Sequence, residues 1–145
     1  MANVSVNATR AIHSLGNLGK RAANPRKPLK MIGHYVKELS MQAFQDSEDP
    51  VTHKKWKPLS PETIRQRRYG KGKRRIKILV DTRTLQRSVH ANPPKKTSVT
   101  IGTPLVYGRN HQLGSTVPRR RFLGVDREGM IEIQRIMRKY LETGK

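Results

Sequence analysis

Tyr107-Gly-Arg-Asn-His-Gln-Leu-Gly114, followed closely by Val117-Pro-Arg-Arg-Arg-Phe-Leu-Gly124, is the most informative stretch of this chain. Tyr107 to Leu113 reads as a short helix stopped by Gly114, since glycine accepts the left-handed conformation that ends a helix. Arg121 to Val125 reads as a last strand. Chemically the stretch resembles half an active site: a tyrosine, a histidine and an amide, then three arginines beside Phe122. Neither piece contains a carboxylate, cysteine or serine that would complete a catalytic set.

Downstream, Asp126 is placed to cap a terminal helix whose apolar face is Met130, Ile133, Met137, Tyr140 and Leu141. Upstream, Ile76, Ile78 and Val80 alternate with Lys77 and Leu79, which predicts a strand with one buried face. Asp81-Thr82 is a candidate cap for a single turn carrying Leu85. Ser88 to Ala91 and Thr97 to Ile101 are expected to pair as a hairpin across Asn92-Pro-Pro-Lys-Lys96. Ser60-Pro61-Glu62-Thr63 reads as a cap, a proline first turn and an acid at the positive end of a short helix. That helix runs into Arg67-Arg-Tyr-Gly-Lys-Gly-Lys-Arg-Arg75, an exposed basic loop.

The first convincing helix starts near Pro28. Leu29, Ile32, Val36, Leu39 and Ala43 form its stripe, with Phe44 beside them, and the acidic tract Asp46 to Asp49 ends it. Residues 1–27 read as an extended basic arm, because Gly16, Gly19 and Asn24-Pro25 interrupt a weak helical pattern. The expected architecture is therefore α+β: a small antiparallel sheet packed with a long N-terminal helix and a C-terminal helix, in a single domain over 28–145.

Composition limits the function. Leu, Ile, Val and Phe make up 32 of 145 residues, close to the level of about 20% below which charged chains fail to fold alone. The expectation is a small core with substantial irregular segments, or a fold that gains burial from neighbouring subunits. The chain has no cysteine, so it carries no disulfide or thiol chemistry. No apolar run approaches a membrane span and no signal-peptide core is present, so synthesis in the cytoplasm and no membrane partner are expected. The net charge of +21 attracts polyanions, whether nucleic acid or an acidic protein surface.

The catalytic candidates each have a plainer reading. His111 lies beside Gln112 and near Tyr107, but no Asp or Glu occurs between Asp81 and Asp126 to orient it. A structural histidine, hydrogen-bonded where helix meets sheet, is the favoured reading. The other histidines lack metal-ligand spacing, and Gly70-Lys-Gly-Lys73 is too short for a phosphate loop. No cofactor, metal or catalytic residue is expected. Trp56, the only tryptophan, reads as a packing anchor, and the basic runs contain too few aromatics for base reading.

Trp56-x-Pro58-Leu59-Ser60-Pro61-Glu62-Thr63, Ile78-Leu79-Val80-Asp81-Thr82-x-x-Leu85-x-x-Ser88, Ile101-Gly102, Tyr107-x-x-x-His111-Gln112-x-Gly114 and Pro118-x-Arg120-x-Phe122-Leu123-Gly124 occur in this order. Together they resemble the phage virion morphogenesis family, the tail-completion proteins of Mu-like contractile-tailed phages and their relatives. The likeness covers residues 28 to 142. It implies a non-catalytic neck or tail-end component of the virion, assembled in the host cytoplasm as a ring, a hexamer matching the tail. Implied partners are the tail tube or terminator and the head-completion or connector proteins, with non-specific contact to packaged DNA. The alternative is a sequence-independent nucleic-acid-binding protein of ribosomal or nucleoid type.

The chain departs from the family pattern at Arg83, Gly108 and Leu113, where members usually have Gly, Ala and Phe. It departs again in Pro118-Arg-Arg-Arg-Phe122, where Arg119 and Arg121 add charge. Arg120 matches the family's arginine and is expected to pair within the subunit or with a neighbour, whereas Arg119 and Arg121 are expected to face solvent, DNA or an acidic rim. Arg67, Arg68, Lys71, Lys73, Arg74 and Arg75 are the other candidate contacts.

Overall fold

The computed structural model describes residues 9–70, 72 and 74–145, with side chains from His13 onward. Its longest element is α2 (Arg26–Asp46), which follows α1 (Thr9–Ala23). The stripe read from the sequence is the face that packs: Leu29, Ile32, Ala43 and Phe44 are buried. Ser47, in the left-handed region at φ 53, ends the helix. Glu48 N then donates back to Ala43 O at 3.2 Å, a closure typical of helix C-termini.

Thr9–Ala23 is a continuous helix, not an interrupted extended arm. Gly16 and Gly19 each cost such a helix about 1 kcal/mol relative to alanine. Tertiary anchoring offsets that: α1 packs on α6 (Arg127–Thr143), and Arg21 Nη1 donates to Leu141 O at 2.7 Å and to Glu142 O at 2.6 Å. The break comes at Asn24-Pro25, as expected.

Helix α3 (Pro61–Tyr69) begins as its cap predicts, with Ser60 Oγ accepting from Thr63 N at 3.2 Å. The strand expected over 76–80 does not form. Arg67 Nη1 donates to Arg75 O and Lys77 O, both at 3.0 Å, taking carbonyls that a sheet partner would have used. Lys77 to Leu79 turns instead, Leu79 adopts φ 57, and Val80 alone of this run is fully buried.

Thr84–Ser88 is the single turn α4 carrying buried Leu85. Asp81-Thr82 does not cap it; Arg83 occupies the cap position at φ 62 with no side-chain cap bond. The hairpin is present but short. β1 (His90–Ala91) and β2 (Ile101–Gly102) are antiparallel, with His90 opposite Gly102 and Ala91 opposite Ile101. Both strands pack on α2, so the small sheet sits against the long helix in an α+β fold.

After α5 (Val106–Leu113) the chain reaches the terminal helix without another strand. Asp126 caps α6, its Oδ1 accepting from Gly129 N at 2.7 Å. The expected apolar face of α6 is only partly right. Tyr140 is buried, but Met130 is 49% exposed and the closest packing is at Gly129. A Cβ at Gly129 would lie 2.8 Å from Val125 Cγ1 and 3.4 Å from Leu39 Cδ1, so here the smallest residue makes the contact. The core proper joins Ala43, Phe44, Trp56, Val80, Leu85, Val89 and Phe122.

Candidate functional site

Helix α5 and the segment 118–124 form one unit. Thr103 Oγ1 accepts from Leu105 N at 3.1 Å just before the helix, and Gly114 ends it at φ 76. A Cβ at Gly114 would meet Arg119 Cβ at 2.7 Å. Glycine therefore supplies both the left-handed turn and the space that lets the arginine tract fold back.

The returning segment finds no strand to pair with, and α5 supplies its partners. Arg120 N donates to His111 O at 2.8 Å. Gln112 Oε1 accepts from Phe122 N and Leu123 N, both at 3.1 Å, while its Nε2 donates to Leu123 O at 2.6 Å. These bonds explain why Arg121 to Val125 is irregular: a side-chain amide meets needs that a ladder would otherwise meet.

Of the two partners expected for Arg120, within the subunit or on a neighbour, the fold supplies internal ones. It is 7% exposed, and its Nε and Nη2 donate to Lys57 O at 3.1 Å and Pro58 O at 3.2 Å. Trp56 completes the clamp, its Nε1 donating to Arg121 O at 2.9 Å. Phe44 packs edge-on against Trp56 at 5.9 Å and lies 5.2 Å from Phe122, centroid to centroid. The motif residues Trp56, Pro58, Gln112, Gly114, Arg120 and Phe122 thus meet in one locking device.

Beside it opens a cavity of about 240 Å³ lined in part by Leu59, Arg67, Asp81, Tyr107, His111 and Arg120. The stretch between Asp81 and Asp126 lacks carboxylates, yet folding brings Asp81 to the same cavity as His111. The two do not bond: among the described residues, Asp81 Oδ1 and His111 Nδ1 are both buried without a partner. His111 is therefore not held through that nitrogen, contrary to expectation; its anchor is its backbone carbonyl. Burial, and then the Arg120 charge, lowers the imidazole below its usual value.

The basic residues divide into working and free groups. Arg67 is not a free contact: besides its two carbonyl bonds it lies 3.9 Å from Asp81 Oδ2, with Arg74 at 3.8 Å on the same oxygen. Arg121 does not face outward either; its Nε lies 3.5 Å from Asp49 Oδ2, and both side chains are largely covered. The fold has turned these cations inward because scarce carboxylates draw them. Arg68, Arg75 and Arg119 are exposed. Lys71 and Lys73 lie outside the described residues.

Comparison with known proteins accords with the motif unit. The sequence matches the phage virion morphogenesis family over residues 6–142. The chain belongs to that family. No curated protein and no solved structure matches it. Family membership assigns a role in phage virion assembly, as a virion component. No described helix is long and apolar enough to cross a membrane.

The sequence alone missed three contacts of this virion morphogenesis chain: Asp81 with the basic loop, Asp49 with Arg121, and His53 between two carboxylates. His53 Nε2 lies 2.8 Å from Asp126 Oδ2, and its Nδ1 lies 3.3 Å from Glu48 Oε1. Nothing local signals the first two meetings, and the second and third depend on how the loop at 47–56 folds.

Proposed function

We propose that this chain is a structural, non-catalytic subunit of the phage neck or tail end, of tail-completion or terminator type. It acts in head–tail joining as one member of a ring, a hexamer. The carrying observation is the outward face of α5 in a chain of the virion morphogenesis family. Val106 is 82% exposed and Leu113 58% exposed, beside a groove lined by Leu105, Gly108, Leu113 and Leu123. A chain this poor in apolar residues that holds such a face in a rigid clamp is suited to burying it against a neighbour.

The cavity chemistry supports a non-catalytic reading. Among the described residues its lining has no serine or cysteine, its two threonine hydroxyls bond each other at 2.7 Å, and its carboxylate does not orient its histidine. In this reading the tail tube or terminator and the head-completion or connector proteins are the neighbours, and Arg68, Arg75 and Arg119 meet their acidic rims. Electron microscopy of particles assembled with and without the chain tests the reading. Unjoined heads and tails in its absence, and a sixfold ring at the junction in its presence, are expected. Full yield of joined particles without it, or a single asymmetric copy per virion, overturns the reading.

A further inference from the structure

A second basic surface lies away from the clamp. Arg26, Lys30 and His34 follow one another at four-residue intervals on the exposed side of α2. Such spacing sets three side chains in a line about 12 Å long on one helix face. They form one wall of a groove of about 360 Å³, whose other lining is Ala91, Asn92, Pro93, Pro94 and Val99 from the hairpin. Gly33 makes the groove possible: a Cβ there would lie 3.0 Å from Val99 Cγ2 and 3.1 Å from Ala91 Cβ. The hairpin therefore rests directly on the helix backbone beside this row. The hairpin turn adds exposed Lys95 and Lys96 nearby in sequence.

We propose that this groove is a sequence-independent track for the sugar–phosphate backbone of DNA. None of Arg26, Lys30 and His34 is in an ion pair among the described residues, whereas Glu48, Asp49, Glu62, Asp81, Asp126 and Glu132 are all engaged. A second copy is a poor counter-charge for the row, since only Glu38, Asp46, Glu128 and Glu142 lie outside those pairs and each copy brings a further +21. The opposite wall is apolar and carries two prolines, which lack N–H donors. It suits the apolar edge of a deoxyribose better than a peptide, whose carbonyls would seek donors there. Among the described residues no aromatic side chain lines the groove, so bases are not stacked and the contact reads charge alone.

The test does not depend on the neck assignment. Fluorescence anisotropy with a short labelled duplex of mixed sequence, over a salt series, compares the wild type with Arg26→Gln/Lys30→Gln. The charge-matched control is Arg138→Gln/Lys139→Gln on the exposed side of α6. The groove pair should lose about tenfold or more in affinity, and its salt slope should fall by about 1.8, the value for two phosphate contacts. The control pair should stay within about threefold of wild type, and circular dichroism should show all three folded. Equal loss in both pairs, or no duplex binding by the wild type at low salt, overturns the proposal. So does a groove pair that loses labelled polyglutamate but keeps the duplex, which would mark an acidic-polypeptide site.

Discussion

Gln112 and Leu123 are joined through both ends of one amide. The side-chain Oε1 accepts from Leu123 N at 3.1 Å, and Nε2 donates to Leu123 O at 2.6 Å. With Phe122 N on the same oxygen, a single residue of α5 does the work of a neighbouring strand. It also fixes Phe122, whose side chain is fully buried against Phe44.

Gln112→Ala should therefore cost about 2–3 kcal/mol, because it strands partly buried backbone donors as well as deleting bonds. Gln112→Glu keeps the acceptor and loses the donor, so it should fall between alanine and wild type at neutral pH. Urea unfolding followed by tryptophan fluorescence measures both, since Trp56 sits in the same clamp. An alanine variant as stable as wild type would show that 118–124 is held by other means.

The three consecutive arginines should separate into three classes. Arg120→Ala leaves the Lys57 and Pro58 carbonyls without their fork and opens a gap, at a cost of about 3 kcal/mol. Arg119→Ala should change stability by less than about 0.5 kcal/mol, as for exposed sites generally. Arg121→Ala should lose about 1 kcal/mol through its pair with Asp49. A double-mutant cycle on Arg121 and Asp49 isolates that coupling. Asp49→Ala alone should cost more, because Asp49 Oδ1 also accepts from Val51 N at 2.8 Å and Thr52 N at 3.2 Å.

These residues also show why the fold was legible only in part from the sequence. The helices α2, α3, α5 and α6 were readable because their signals are local: the α2 stripe, Ser60, Gly114 and Asp126 act within a turn or two of themselves. The strands expected at 76–80 and 121–125 have the right residues but lose their backbone partners to Arg67 and Gln112. Alternation cannot show which side chain will take a carbonyl. Arg120 was recognisable as a pairing arginine, although not whether its partner lies in the same subunit. The meeting of Asp81 with His111, and the inward turn of Arg67 and Arg121, depended on where scarce carboxylates come to rest in space. Helix α1 was missed because its support comes from α6, more than 100 residues away.

Two histidines should give stability opposing dependences on pH. His53 is raised, first by its bond to Asp126 and then by Glu48. Its contribution is complete below the unfolded value of about 6.5 and is lost as pH rises through the folded value. Asp126 is lowered, first by Gly129 N–H and then by His53, so its contribution is lost as pH falls through the folded carboxylate value. His111 is lowered by burial, so it disfavours the folded state as pH drops below about 6.5. His53→Gln should remove the stability that wild type gains as pH falls from the folded His53 value to about 6.5, so the two curves should diverge above about pH 6.5 and run parallel below it. Thermal melts on both sides of about pH 6.5 for His53→Gln and His111→Gln distinguish the two, since His111 acts below that value, and parallel curves for wild type and His53→Gln above it would refute the assignment.

The last prediction concerns the tie between the two ends of the chain. Arg21 donates to Leu141 O and Glu142 O, and Tyr140 Oη donates to Asn24 O at 2.9 Å. The carbonyls in the last turn of a helix have no partner within the helix, and a cation there also meets the negative end of the dipole. Arg21 thus serves as an external cap for α6. Arg21→Ala should cost about 1–2 kcal/mol, from two charge-assisted bonds at a partly exposed site. Its effect should be concentrated at the end of α6, where hydrogen exchange of residues 140–143 should accelerate while α2 amides keep their protection. Arg21→Lys retains the charge but not the planar fork, so it should recover part of the loss. Uniformly faster exchange throughout the molecule would instead mean that α1 is integral to the cooperative core.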